Sequence, residues 1–220
     1  EFEPLLKKRF VKSASLHAKV IHPHIVRVID FIATEEVEGL VLERLEGPTL
    51  EDRLHETGPI EVPQLVFMLR GIADALVHLH DKGIIHRDIK PGNLMHVSSR
   101  ALSPIRLMDF GVARSLSGSQ NLTVKGSQIG TIWYMSPEQL ASKVPKPSCD
   151  LFSLAVSAYE LATGRLPLSA REQAAVFRRY LDNEAIPEWP THLVSEFPEF
   201  CELLESALQV DAESRLTNVK

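Results

Sequence analysis

His86-Arg87-Asp88-Ile89-Lys90-Pro91-Gly92-Asn93 is followed, sixteen residues after Asn93, by Asp109-Phe110-Gly111. The first block sets the Asp88 carboxylate two residues before the Lys90 ammonium and five before the Asn93 carboxamide. The second adds the Asp109 carboxylate ahead of a glycine. Phosphoryl transfer asks for groups of this kind. A carboxylate receives a hydroxyl proton, a cation offsets charge on the moving group, and hard oxygen ligands hold a divalent ion against nucleotide phosphates. Asp88 suits the first task, Lys90 the second, and Asn93 with Asp109 the third, as oxygen donors for Mg²⁺.

Outward from these blocks the chain reads as mostly helical. Leu65, Leu69, Ile72, Leu76 and Leu79 recur at helical spacing and predict an amphipathic helix over 64–81, closed by Gly83. A short strand pair around Leu94-Met95 and 105–107 would deliver Asp109. Residues 151–163 predict a strongly apolar, buried helix, with two further helices over 170–182 and 197–209. Before the first block, residues 4–21 read as a helix that ends ahead of His22-Pro23, because proline disfavours helix at the residue before it. Val- and Ile-rich runs over 25–32 and 39–45 predict two strands around the acidic turn Thr34-Glu35-Glu36, and Glu46-Gly47-Pro48 then breaks the pattern.

Both motif blocks, in this order and spacing, resemble the catalytic loop and metal-binding turn of the protein kinases, with every position matched. The closest look is that of bacterial eukaryotic-type serine/threonine kinases. The resemblance implies an α+β, protein-kinase-like bilobal fold with a truncated small β lobe and a mostly helical large lobe. Residues 1–45 would be the remainder of the small lobe, with the hinge at its end. Residues 46–220 would be the large lobe, cut before its last helix. The implied activity is transfer of the ATP γ-phosphate to protein Ser or Thr hydroxyls, with Lys90 marking the serine/threonine class. ATP, Mg²⁺ and a protein substrate are the implied ligands and partners, and a kinase dimer could support autophosphorylation.

The resemblance also assigns residues. Asp88 is the catalytic base, and Thr131, in Gly130-Thr131-Ile132-Trp133-Tyr134-Met135-Ser136-Pro137-Glu138, would sit beside Asp88 and Lys90. Leu42 would be the gatekeeper, the backbone of Glu43 and Leu45 would bond adenine, and Met95 would pack below it. Glu138 would form a buried ion pair with Arg215, and Asp150 would anchor the catalytic loop through backbone N–H groups. Ser136 stands where the family usually has Ala. His86 and Phe110 would pack in the core, and His22-Pro23-His24 would be a turn and packing feature, not a metal motif. Arg87 would meet a phosphate on the segment that offers Ser115, Ser117, Ser119, Thr123 and Ser127.

Composition is consistent with this reading. The 220 residues carry 24 Lys and Arg against 29 Asp and Glu, a net charge of −5 that does not suggest a nucleic-acid or membrane-surface protein. Two cysteines, Cys149 and Cys201, make no disulfide framework and fit a reduced, cytoplasmic setting, or the cytoplasmic part of a membrane-anchored protein. The apolar stretch over 151–161 is too short to cross a bilayer. Against the family pattern, no G-x-G-x-x-G loop and no strand lysine are found. The expectation is therefore a fragment that is inactive by itself. Ser13 falls where the family's helix glutamate would pair with that lysine, and this keeps open the alternative of a pseudokinase acting as a binding or scaffold module.

Overall fold

A computed structural model of the chain describes residues 20–33, 38–100, 103–109, 129–168, 175, 178, 179, 182 and 188–215. Strands β1 (Val28–Ala33) and β2 (Glu38–Leu42) pair antiparallel, with a bulge between Val28 and Asp30. Strands β3 (Leu94–His96) and β4 (Ile105–Leu107) form a second antiparallel pair, with Leu94 opposite Leu107 and Met95 opposite Arg106. The remaining regular structure among the described residues is helical: α1 (Leu50–Thr57), α2 (Val62–His80), α3 (Pro137–Leu140), α4 (Ser148–Thr163), α5 (Thr191–Glu196) and α6 (Pro198–Ala207). Two 3₁₀ segments, Pro91–Asn93 and Ile129–Tyr134, lie among them.

Helix α2 follows its apolar stripe. Leu65, Leu69, Ile72, Leu76 and Leu79 are all buried, and Pro63 stands in the first turn, where a missing N–H costs nothing. Its end is a Schellman motif. Gly83 at φ 70° donates to His80 O at 2.9 Å, and Ile84 donates to Leu79 O at 2.9 Å. By length and composition α2 could cross a membrane, yet its buried stripe packs on α4 and β4 in the core.

Helix α4 is buried almost all round, from Ser148 to Ala162, as expected for a helix apolar on every face. Phe152, Tyr159 and Leu161 are enclosed, each worth about 1.5–3 kcal/mol of burial. Gly164, in the left-handed region, caps α4 by donating to Glu160 O at 2.7 Å. Helix α6 closes one side of α4 through Phe200, while Trp189 stacks edge-on between Tyr159 and Phe200.

Several sequence expectations shift. The first strand begins at Val28 because residues 24–26 are tied to β4: Val26 donates to Leu107 O at 3.0 Å and Leu107 to His24 O at 2.9 Å. The second ends at Leu42, after which the chain runs along β3, with Glu46 donating to Val97 O and His96 to Pro48 O. Helices α1 and α5 answer to no expectation. The helix expected over 4–21 lies outside the described residues except for Val20 and Ile21, which are not helical. The turn at 34–36 and most of 170–182 also lie outside them.

Candidate active site

The loop between α2 and β3 carries the motif and is held from below by one carboxylate. Asp150, in the first turn of α4 and fully buried, accepts from the backbone N–H of His86 at 2.9 Å and of Arg87 at 2.7 Å. His80, at the end of α2, closes on the same carboxylate at 2.8 Å. Arg87 sits at φ 68°, a region costly for a residue with a side chain. Such a conformation persists where its surroundings over-determine it, and the Asp150 contact is part of that constraint. The anchoring role expected of Asp150 is thus seen directly.

His86 is buried and joins two parts of the site. Its Nδ1 accepts from the Asp88 N–H at 3.3 Å, and its Nε2 meets Met108 O at 2.9 Å. An N–H can only donate and a carbonyl can only accept, so the ring is neutral with its proton on Nε2. Burial pushes the imidazole below its ordinary value, in agreement with that tautomer. His86 therefore fixes the loop against the residue before Asp109, as the core role predicted for it requires.

Asp88, Lys90 and Asn93 converge. Asn93 Nδ2 donates to Asp88 Oδ2 at 2.9 Å and to Asp88 O at 2.7 Å, and Lys90 Nζ lies 3.3 Å from Asp88 Oδ2. With its amide nitrogen committed to Asp88, buried Asn93 offers Oδ1 as its oxygen donor. Met108 donates to Asn93 O at 2.9 Å, which brings the strand leading to Asp109 against this group. Asp109 is exposed and takes φ 47°, out of line with the strand before it. A carboxamide oxygen and an exposed carboxylate on adjoining backbone are donors suited to a hard divalent cation. Phe110, Gly111 and the five hydroxyl residues after them lie outside the described residues, as does Ser13.

The residues expected on the adenine side lie at the end of β2, in the linker after it and in β3. Leu42 ends β2, and Leu42, Leu45 and Met95 are each partly buried. The linker after Leu45 lies along β3 through a bridge between Thr49 and Met95. Glu43 donates its N–H to Arg27 O at 2.9 Å, which leaves its carbonyl as the group able to meet a base. Its carboxylate accepts from Arg27 N at 2.7 Å and pairs with Arg106, which sits opposite Met95 on β4. This latch between linker and β4 had no sequence signal.

Thr131 lies in the 3₁₀ segment 129–134, and its side chain is outside what the structure describes. The same segment is pinned to α4: Tyr134 donates to Glu160 Oε2 at 2.6 Å, and Ser153 Oγ donates to Tyr134 O at 2.7 Å. Burial raises the carboxyl of Glu160 and the phenol of Tyr134. Glu138 and Arg215 form the expected pair, with two contacts of 2.6 and 2.8 Å and the guanidinium fully enclosed over the Phe152 ring. Burial would raise Glu138, but the bonds and charge of Arg215 outweigh it and hold the carboxyl below its ordinary value. His22-Pro23-His24 forms a turn whose His24 Nδ1 meets Ile105 O at 2.9 Å, and His22 contacts Asp74.

Known proteins match this arrangement over nearly the whole chain. The serine/threonine-protein kinase PknB of Mycolicibacterium smegmatis is 33% identical over 218 residues, 97% of this chain and 34% of that protein. PknB of Mycobacterium leprae is 34% identical over 194 residues, 86% of this chain and 31% of its own length. The chain thus spans about a third of the curated relatives it matches. The crystal structure of Rad53 1-466 in complex with AMP-PNP superposes with a TM-score of 0.75 at 24% identity, covering 94% of this chain and 52% of that one, a likeness of fold. The protein kinase domain family matches residues 3–220, and with the catalytic-loop geometry in place the chain belongs to that family.

Proposed function

We propose that this chain is the catalytic part of a protein serine/threonine kinase that moves the γ-phosphate of ATP to Ser or Thr hydroxyls of a protein substrate. One observation carries the reading: the Asp88 carboxylate, bonded by Asn93 and Lys90, on a loop held by buried Asp150. Membership in the family implies ATP and a divalent metal in general.

In this mechanism the substrate hydroxyl hydrogen-bonds Asp88, which orients its oxygen in line with the γ-phosphorus and takes its proton. The new O–P bond forms as the bond to the β-phosphate oxygen breaks, and ADP leaves with that electron pair. Lys90 lies close enough to Asp88 to reach the transferring group and offset charge gathering on its oxygens. Asn93 and Asp109 would hold Mg²⁺, which when bound neutralises phosphate charge and orients the nucleotide. Leu42 and Met95 would pack on adenine, the Glu43 carbonyl and Leu45 backbone would bond it, and Thr131 would stand beside the base. Autophosphorylation within a dimer and a cytoplasmic setting complete the proposal.

The test is phosphate transfer from radiolabelled Mg²⁺-ATP to a generic protein substrate by the full-length protein, wild type against Asp88→Asn. Loss of the base should lower the rate by roughly 10²–10⁴-fold. Equal transfer by both proteins, or none from folded wild type, defeats the reading; the second outcome turns the weight to a binding module.

A further inference from the structure

Ser136-Pro137-Glu138-Gln139 opens α3 with a capping box, in which residue 139 accepts from Ser136 N at 3.1 Å and from Ser136 Oγ at 3.1 Å through Oε1. A capping box accepts Glu and Gln alike, since only the oxygen is used. Here the other half of the amide is also used. Gln139 Nε2 donates to the carbonyl of Arg87 at 3.1 Å, across 52 residues of sequence. The orientation of the amide is unambiguous, because Ser136 N–H can only donate and Arg87 C=O can only accept.

Arg87 is the residue at φ 68° immediately before Asp88. Its N–H is held by Asp150 and its C=O by Gln139, so the backbone is gripped on both sides of the strained residue. The peptide that begins at the Arg87 carbonyl ends at the Asp88 nitrogen, so rotation about it would carry Asp88 with it. We infer that Gln139 is a positioning residue: its amide ties the segment that would present the substrate to the catalytic loop and sets the aim of Asp88, a role that glutamate cannot fill. The functional half of this inference rests on the kinase reading; the structural half does not.

Gln139→Glu separates the two roles. It keeps the cap but turns a carboxylate oxygen toward the Arg87 carbonyl, where two acceptors repel. The full-length protein is compared as wild type, Gln139→Glu and Gln139→Met, by hydrogen exchange over residues 84–93 and by phosphate transfer from about pH 8 to about pH 5.5. In Gln139→Glu the melting temperature should stay near wild type, the loop amides should exchange faster, and transfer at the upper pH should fall about tenfold, the worth of one hydrogen bond. Its rate relative to wild type should recover as pH falls, because a protonated carboxyl can donate to Arg87. Gln139→Met should show the exchange defect without that recovery. Loop exchange in Gln139→Glu identical to wild type overturns the inference, whether or not the protein turns over. A transfer deficit equal at every pH in both variants overturns the positioning role. Absence of transfer in wild type defeats the kinase reading, while exchange still decides the link.

Discussion

Asp150 exposes no surface, and both of its oxygens are spoken for: Oδ2 by His86 N and His80 Nε2, and Oδ1 by Arg87 N. An asparagine there has the same shape but carries one NH₂, and either placement sets a donor against a backbone N–H. Asp150→Asn should therefore cost about 2–4 kcal/mol, the penalty of an orphaned buried donor plus a lost charge-assisted bond. Urea unfolding measures it, and a change under about 1 kcal/mol would show that the loop is anchored elsewhere. Arg215 makes a parallel case with a different remedy. It bonds Glu138 twice, and also Gln209 O and Val210 O, while its guanidinium covers Phe152. Arg215→Ala should destabilise by about 3–5 kcal/mol because it strands a buried carboxylate. Arg215→Met combined with Glu138→Gln should cost clearly less than the two single losses added together, and simple additivity in that cycle would contradict a direct pair.

At the level of elements, what could be read in advance depended on how much of each element is buried. Helices α2 and α4 carry long apolar patterns because their faces fill the core, and they lie where the stripe of α2 and the continuous apolar run of α4 place them. Helix α1 buries only Leu50 completely, so no stripe marks it. Its start is held by a reciprocal cap in which Asp52 N donates to Thr49 Oγ1 at 3.0 Å and Thr49 N to Asp52 Oδ2 at 3.2 Å. The Thr49 hydroxyl, which donates to Asp52 Oδ2 at 2.7 Å, and then the Thr49 N–H draw the Asp52 carboxyl below its ordinary value. Thr49→Ala should remove about 1 kcal/mol. Hydrogen exchange should show the loss as faster exchange confined to α1, whereas an effect spread over α2 would mean that α1 has no local stability of its own. In the candidate site, Asp88, Lys90, Asn93 and Asp109 were legible because their spacing is local. His80 on Asp150, Arg106 on Glu43 and Gln139 on Arg87 were not, since each joins residues 52 or more positions apart and nothing in the flanking sequence distinguishes those side chains. The Asp150 and Arg215 contacts are equally distant, and only the family resemblance placed them.

Across the described residues, the groups shifted by burial and bonding do not answer acid in one direction, as His86, Glu138 and Glu160 show. His86 sits below its ordinary 6.5 because burial disfavours the imidazolium. Under that pH the unfolded chain takes up a proton that the folded chain refuses, so stability falls as pH drops below about 6.5. Glu138 is held below its ordinary 4.5 by Arg215, against the opposing effect of burial. Its contribution is complete above 4.5 and disappears as pH falls further through the folded value. Glu160 opposes both. Burial raises it, so between 4.5 and its folded value the folded chain binds the extra proton and gains stability as pH falls. Unfolding in urea should therefore show a midpoint that declines from about pH 7 to about pH 5, with Glu160 partly offsetting His86. Glu160→Gln keeps an acceptor for the Tyr134 hydroxyl but removes the titration, so the decline over that interval should steepen. Buried His96 is lowered by burial too and adds to the decline, so a midpoint independent of pH between 7 and 5 in both proteins would mean that neither imidazole stays neutral and that His86 takes a proton in place. It would then have to give up its bond from Asp88 N–H, and the loop tethered through that ring would not be rigid.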